Sequence, residues 1–211
     1  MRVRQVSRAA ITLQLDVRPV DVLIADPPWK FSDKIQGGRG AEYKYPCMDT
    51  DKIARFAIPV MAVQSMLFLW RVSAMQEEAL FVCKAWGFRP YSEVTWVKQT
   101  KNGKRHMGMG HVVRAEHESC LIGVRGRALK PAVKNVRSCI FGQVRSHSEK
   151  PEEFYDLINT LYPDVIKHEL FARRTRDGWR QEGNQLGVLN GVEELEDENE
   201  LESDVEENAA E

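Results

Sequence analysis

The stretch Pro19-Val-Asp-Val-Leu-Ile-Ala25 runs straight into Asp26-Pro27-Pro28-Trp29. The first seven residues are mostly apolar and too few for a helix, and prolines stop them. A buried strand reads this way. Neither proline of the pair has an N–H to give a sheet neighbour, and each fixes its own φ. With Pro at about 5% of residues, adjacent prolines arise by chance about once in 400 positions, so this turn is a specific feature. Asp26 therefore stands at the carboxyl end of a buried strand, the edge where open α/β sheets bind ligands.

On either side of this strand the chain alternates between two periodicities. Residues 30–50 carry Gly37, Gly38 and Gly40 among charges and read as a long loop, with a short helix predicted from Asp49 to Phe56. Ser65 to Trp70 is a second buried strand. Met75, Ala79, Val82 and Trp86 recur on one face of a helix that Gly87 ends. Glu93 to Lys98 and Cys120 to Val124 are predicted strands on either side of a basic loop at 99–114. A Lys- and Arg-bearing connection then leads to Ile140-Phe141. Pro151 suits the first turn of a helix, Glu152 and Glu153 its positive end, and Phe154, Leu157, Ile158 and Leu161 its buried face. Val165 to Phe171 reads as the last strand. This order predicts an α/β fold with a mostly parallel sheet and crossover helices.

The chain has 211 residues, 43% of them hydrophobic and 29% charged, which excludes a disordered or membrane-embedded protein as a whole. Its most apolar run, Ala57 to Trp70, is interrupted by Pro59, Gln64 and Ser65 and is too short to span a bilayer. No secretory signal follows Arg2, Arg4 and Arg8, and four cysteines without a C-x-x-C pair suit reduced thiols in the cytoplasm. The net charge of −1 conceals a division. Residues 1–180 hold all 30 basic residues against 19 acidic ones, a net of +11, while residues 181–211 hold 12 acidic and none basic. A basic body of this kind points to a polyanionic partner, nucleic acid first. The expected organisation is one domain over 1–191 and a disordered acidic tail over 192–211.

Several residues are chemically suggestive. A carboxylate at Asp26 and a backbone carbonyl at Pro27, held in direction by Pro28, suit the two N–H bonds of an aromatic amine. Trp29 offers a face on which an extruded base can stack. Tyr45, Trp70 and His111 either line a target pocket or serve more ordinary ends, packing for the first two and a solvated loop for His111. Lys101, Lys104, Arg105 and Arg114 are candidates for phosphate contacts. Gly37 to Gly40 lacks the Lys-Ser/Thr of a P-loop. His117 and Cys120 offer only two ligands, so no metal site is expected.

The motifs, taken in order, resemble the MT-A70 family of adenine-N6 methyltransferases. After Asp26-Pro-Pro-Trp29 come Tyr45-Pro-Cys-Met48, Leu67-Phe-Leu-Trp70, Trp96-Val-Lys98, Gly108-Met-Gly-His111 and His117-Glu118. Leu121 to Gly126, Val144-Arg-Ser146, Lys150-Pro-Glu152, Glu169-Leu-Phe171 and Gly183-Asn-Gln-Leu186 complete the series over residues 20–188.

The resemblance implies a Rossmann-like methyltransferase fold whose catalytic-motif strand precedes its cofactor strand, with S-adenosylmethionine as methyl donor. Asp26, Pro27, Pro28 and Trp29 would be the catalytic motif, with Asp26 also facing the methionine end of the cofactor. Lys150 would pair with the cofactor carboxylate. Phe171 and Arg173 would lie by the ribose, whose hydroxyls Asn184 and Gln185 would bind. Thr175-Arg176 replaces the His-Asn pair that the family often shows, and Asp16 and Asp21 are poor counterparts of an acidic residue that some members carry before the catalytic strand. The compact chain predicts adenine-N6 methylation of DNA, and the alternatives are an RNA adenosine methyltransferase or a non-catalytic nucleic-acid-binding subunit. A homodimer or a related partner subunit is expected to supply target recognition.

Overall fold

A computed structural model describes residues 18–30, 47–108, 110, 112–145, 149–183 and 186. Its ten elements are β1 (Val20–Ala25), α1 (Thr50–Arg55), β2 (Met61–Arg71), α2 (Gln76–Ala85), β3 (Arg89–Gln99), β4 (His117–Arg125), β5 (Cys139–Gln143), α3 (Glu152–Leu161), β6 (Lys167–Leu170) and β7 (Trp179–Glu182). The strands form one sheet in the order β5-β3-β4-β2-β1-β6-β7.

β1 is flanked by β2 and β6, both parallel to it. β7 continues parallel to β6, and β5 is parallel to β3. β4 alone runs the other way, antiparallel to both β2 and β3. The mostly parallel α/β sheet is therefore as expected, with one reversed strand inserted between β2 and β3. The architecture is that of a Rossmann-like methyltransferase, with the Asp26 strand preceding β6 in sequence and lying beside it in the sheet.

Strand alternation splits the core into two layers. Leu23, Ala25, Leu67 and Leu69 face α1 and α2, packing against Ile53, Ala79, Val82 and Trp86. Val22, Ile24, Met66, Phe68 and Trp70 face α3, meeting Phe154, Tyr155, Ile158 and Tyr162. Asp21 is tolerated at the start of β1 because its Oδ2 accepts the Ile166 N–H at 2.9 Å, so it is committed to the fold and far from the carboxyl edge.

Two sequence expectations require correction. Val165 to Phe171 is not the last strand: β6 covers only Lys167–Leu170, and β7 follows it at the sheet edge. Trp179-Arg-Gln-Glu182 has no apolar alternation, because an edge strand is paired on one side only and is half-buried throughout. Pro151 caps α3 rather than lying in its first turn, and Glu152 opens the helix. All four cysteines are free thiols. Among the described residues no helix is long and apolar enough to cross a membrane, and no group of three or more metal-binding side chains occurs.

Candidate active site

The turn after β1 is fastened by its own backbone. The Trp29 N–H donates to the Pro27 carbonyl at 2.8 Å, an i to i+2 turn. The Met48 N–H donates to the Pro28 carbonyl at 2.7 Å, and the Lys30 N–H to the Met48 carbonyl at 3.1 Å. Met48 thus pins the chain against the two prolines from the far side of the loop. Asp26, on the α3 face like Ile24, keeps 20% of its side chain exposed.

Five other elements converge on Asp26 at the carboxyl edge of the sheet. Lys150, just before α3, brings its Nζ to 2.7 Å from Asp26 Oδ2 and 3.2 Å from Glu118 Oε2. Glu118 stands at the start of β4, which reaches this edge because β4 is reversed. Its Oε1 takes Lys98 Nζ at 2.6 Å, from the end of β3. Two carboxylates and two ammonium groups so form a chain, Asp26–Lys150–Glu118–Lys98. The Trp70 ring, at the end of β2, lies 5.3 Å from Lys150 Nζ, and the Trp96 ring lies 5.4 Å from Lys98 Nζ.

The electrostatics follow from burial and pairing. Burial drives the Asp26 carboxyl above its ordinary value, and the charge and hydrogen bond of Lys150 offset this only in part. Burial also acts to raise Glu118, but Lys150 and Lys98 together take it below the ordinary value. Burial would lower Lys150, yet Asp26 and Glu118 hold it firmly protonated, above its ordinary value. Asp26 is thus the carboxylate nearer to proton exchange, and Glu118 stays ionised.

β6 brings a second polar cluster to the same edge. Glu169 shares the face of Ile24, its register partner. It accepts the Tyr155 hydroxyl at 2.6 Å and the Gln181 amide at 3.0 Å. Burial raises Glu169, against these two hydrogen bonds. Phe171 follows with φ of 62°, a left-handed conformation costly for a large side chain, and its ring lies 4.8 Å from that of Phe56. Arg173 is half-buried, and its charge reaches Asp26 and lowers its pKa. Arg176, at the departure from the family pattern, lies 3.4 Å over the Tyr155 ring and bonds both oxygens of Glu152 at 2.6 and 3.1 Å.

The structure thus brings together Asp26, Lys150 and Arg173, which sequence reading singled out, while Phe171 lies past the end of β6 and packs on the α1–α2 side against Phe56. Pro27 and Pro28 hold the turn. For Trp29 and Trp70 the structure shows packing. Trp29 is only 4% exposed, and its indole N–H donates to the Trp70 carbonyl at 2.9 Å, so it packs beneath the turn. Trp70 is 1% exposed and floors the Lys150 site instead of lining an open pocket. Tyr45, His111, Asn184 and Gln185 lie outside the described residues, as does the acidic tail. Glu118, Lys98, Tyr155 and Gln181 carry no role in the sequence reading. Glu118 was within reach of it, since alternation puts Glu118 on the same face as Cys120 and Val124.

The family described as MT-A70 matches residues 20–185. The chain is 32% identical over 179 residues to a putative N(6)-adenosine-methyltransferase MT-A70-like protein of Medicago truncatula, covering 82% of this chain and 27% of that relative. It is 33% identical over 171 residues to the N(6)-adenosine-methyltransferase catalytic subunit METTL3 of Homo sapiens, covering 78% and 28%. Similarity to the type II methyltransferase M.MunI of Mycoplasma sp is 27% identity over 194 residues, covering 82% and 80%. The chain therefore spans about a quarter of the N(6)-adenosine-methyltransferase relatives but most of the type II enzyme.

Proposed function

The chain belongs to the MT-A70 family, and from that premise we propose that it methylates the N6 amine of adenine with S-adenosylmethionine, acting on DNA in preference to RNA. The observation that carries this reading is the Asp26–Lys150 pair at the carboxyl end of β1. Lys150 takes Oδ2, which leaves Oδ1 for an incoming donor.

The adenine amine is a poor nucleophile because its lone pair is delocalised into the ring. Asp26 Oδ1 accepts one of its N–H bonds and the Pro27 carbonyl the other, drawing the nitrogen toward a tetrahedral, more nucleophilic geometry. The Pro27 oxygen has a second lone pair for this beside the Trp29 N–H it already accepts. Asp26, raised by burial, is also the group placed to receive the proton that the amine gives up.

The residues suit the cofactor's amino-acid end. Lys150 has a third N–H beyond its two carboxylate partners for the cofactor carboxylate, and the buried Trp70 Nε1 has no hydrogen-bond partner among the described residues. S-adenosylmethionine supplies an electrophilic methyl carbon when bound. Phe171, Arg173, Asn184 and Gln185 are assigned to its ribose side. Tyr45 and His111 are assigned to the target base. Buried Trp29 and Trp70 make the floor of the site apolar and exclude water from it.

The likeness to a type II methyltransferase supports the preference for DNA. The higher identity to the N(6)-adenosine-methyltransferases favours the second reading, an RNA substrate. A second copy or a related subunit that supplies target recognition belongs to either reading. Purified protein with labelled S-adenosylmethionine is offered duplex DNA, single-stranded DNA and RNA, each then digested to nucleosides. N6-methylated deoxyadenosine is expected. Label in adenosine alone would move the assignment to RNA, and label in cytosine or protein alone would defeat it.

A further inference from the structure

The site described above uses one edge of the sheet. At the opposite edge, residues 126–138 carry the chain from the end of β4 to β5, and their charge is one-sided. From Ser119 to Ser148 the sequence has no Asp or Glu, but it has Arg125, Arg127, Lys130, Lys134, Arg137 and Arg145. Arg125 is committed to the fold, with Nη2 2.6 Å from the Trp86 carbonyl, and Arg145 pairs with Glu149 and Glu152. Arg127, Lys130, Lys134 and Arg137 are all exposed and enter no ion pair among the described residues. Four exposed cations without an ionic partner among the described residues make a one-sided positive surface, which attracts an anionic partner.

The arm is ordered by its backbone, not by these side chains. Ala128 and Leu129 pack against the α3-side core. The Ala132 N–H donates to the Leu161 carbonyl at 2.8 Å, and the Thr95 N–H to the Ser138 carbonyl at 2.8 Å. Residues 130–139 between these anchors are exposed without a break. Tyr91, 59% exposed with the Arg89 guanidinium 5.7 Å from its ring, stands at the same end of the sheet. On the edge strand β5, between the arm and the active edge, Phe141 is 58% exposed. Exposed cations on a backbone anchored at both ends, with exposed aromatic rings on the adjoining strands, suit a phosphate backbone better than an apolar partner.

We propose that the β4–β5 arm, through Arg127, Lys130, Lys134 and Arg137, is a second nucleic-acid contact that holds the phosphate backbone of the substrate away from the reacting base. It rests on the nucleic-acid reading above and extends it to a surface that no catalytic residue touches. β4 links the two edges: eight steps of about 3.4 Å from His117 to Arg125 make about 27 Å. That is about eight base pairs of duplex, so a substrate ending nearer to its target adenine should lose the arm's share of binding.

The test is R127Q/K130Q/K134Q/R137Q, beside the charge-preserving R127K/R137K, with thermal melting as the folding control. Binding to a duplex of about 30 base pairs, to single-stranded DNA and to RNA is measured from about 50 to 200 mM salt. On duplex DNA each contact contributes about 0.9 to the slope of log K against log salt. The fourfold glutamine variant should lose about three to four units of slope, equivalent to about a hundredfold of the wild-type salt effect over that range. R127K/R137K should keep it. In methyl transfer KM should rise with kcat unchanged. If the fourfold variant melts early, R127Q and K134Q singly should each remove about one unit. An unchanged slope on all three nucleic acids would overturn the proposal. A reduced slope in a protein that methylates nothing would keep the arm and defeat the methyltransferase reading instead.

Discussion

At the residue scale, Asp26 and Lys150 were legible in the sequence, the first from its place after an apolar strand and the second from the motif series. Their pairing was not, because 124 positions separate them and only the sheet and α3 bring them together. Alternation could place Glu118 on its face, but its pairing was hidden too: its partner Lys98 is reached through the β3–β4 register, in which Trp96 opposes Glu118. This register gives Glu118 a definite influence on Asp26. Its negative charge raises the Asp26 pKa, so Glu118→Gln should let that pKa fall and move the acid limb of the methyl-transfer rate to lower pH. A limb that stays in place or rises would dissociate the two. Lys150→Met should be more damaging, since it leaves the largely buried Asp26 without its cation and facing Glu118, which keeps only Lys98. A loss of about 3 to 5 kcal/mol in urea unfolding at neutral pH is expected, and a loss below about 1 kcal/mol would mean that solvent already screens the group.

At the element scale, the apolar strands β1, β2 and β4 and the face of α3 could be read because burial left its period in the sequence. β6 could be read only in part. Lys167, His168, Glu169 and Leu170 are all buried, although three of the four are polar. Each polar one has a specific neighbour. Lys167 donates to the Pro163 carbonyl, Glu169 accepts from Tyr155 and Gln181, and His168 Nε2 lies 3.5 Å from Glu182. Burial, helped by the charge of Arg180, pushes His168 down from 6.5 to about 4. Between these values the unfolded chain binds a proton that the folded chain refuses, so stability is lost as pH falls from about 6.5 to 4. The loss is about 3 kcal/mol at most, and urea melts across that range should show it in wild type but not in His168→Gln. Equal pH dependence in both proteins would remove His168 from the account. Gly183, just past β7, sits against the backbone of Ala172. A Cβ there would lie 2.0 Å from the Ala172 carbonyl oxygen, so Gly183→Ala should cost about 1 to 3 kcal/mol in the same unfolding measurement.

At the scale of the whole molecule, the sequence predicted a parallel α/β sheet but not the reversed β4, whose apolar run looks the same in either direction. That reversal matters, because it brings Glu118 to the carboxyl edge beside Asp26 and sends the basic arm to the opposite one. The charge division adds a further expectation. Deleting residues 193–211 removes 11 acidic and no basic residues and takes the net charge from −1 to +10. Nucleic-acid binding should tighten and its salt dependence steepen, with methyl transfer retained, since every residue assigned to chemistry precedes Gly187. Lost turnover would show instead that the tail completes the enzyme. The central claim is that the Asp26 edge of the sheet methylates adenine at N6. Its most direct test is a single-turnover assay on wild type and Asp26→Asn, with labelled S-adenosylmethionine bound to both and the N6-methylated nucleoside as the readout. The expected result is N6-methyl product from wild type and a rate at least about a hundredfold lower from Asp26→Asn, which keeps the side chain's size but turns an N–H donor toward an amine that already donates. Near-normal methylation by a folded, cofactor-binding Asp26→Asn would contradict the assignment.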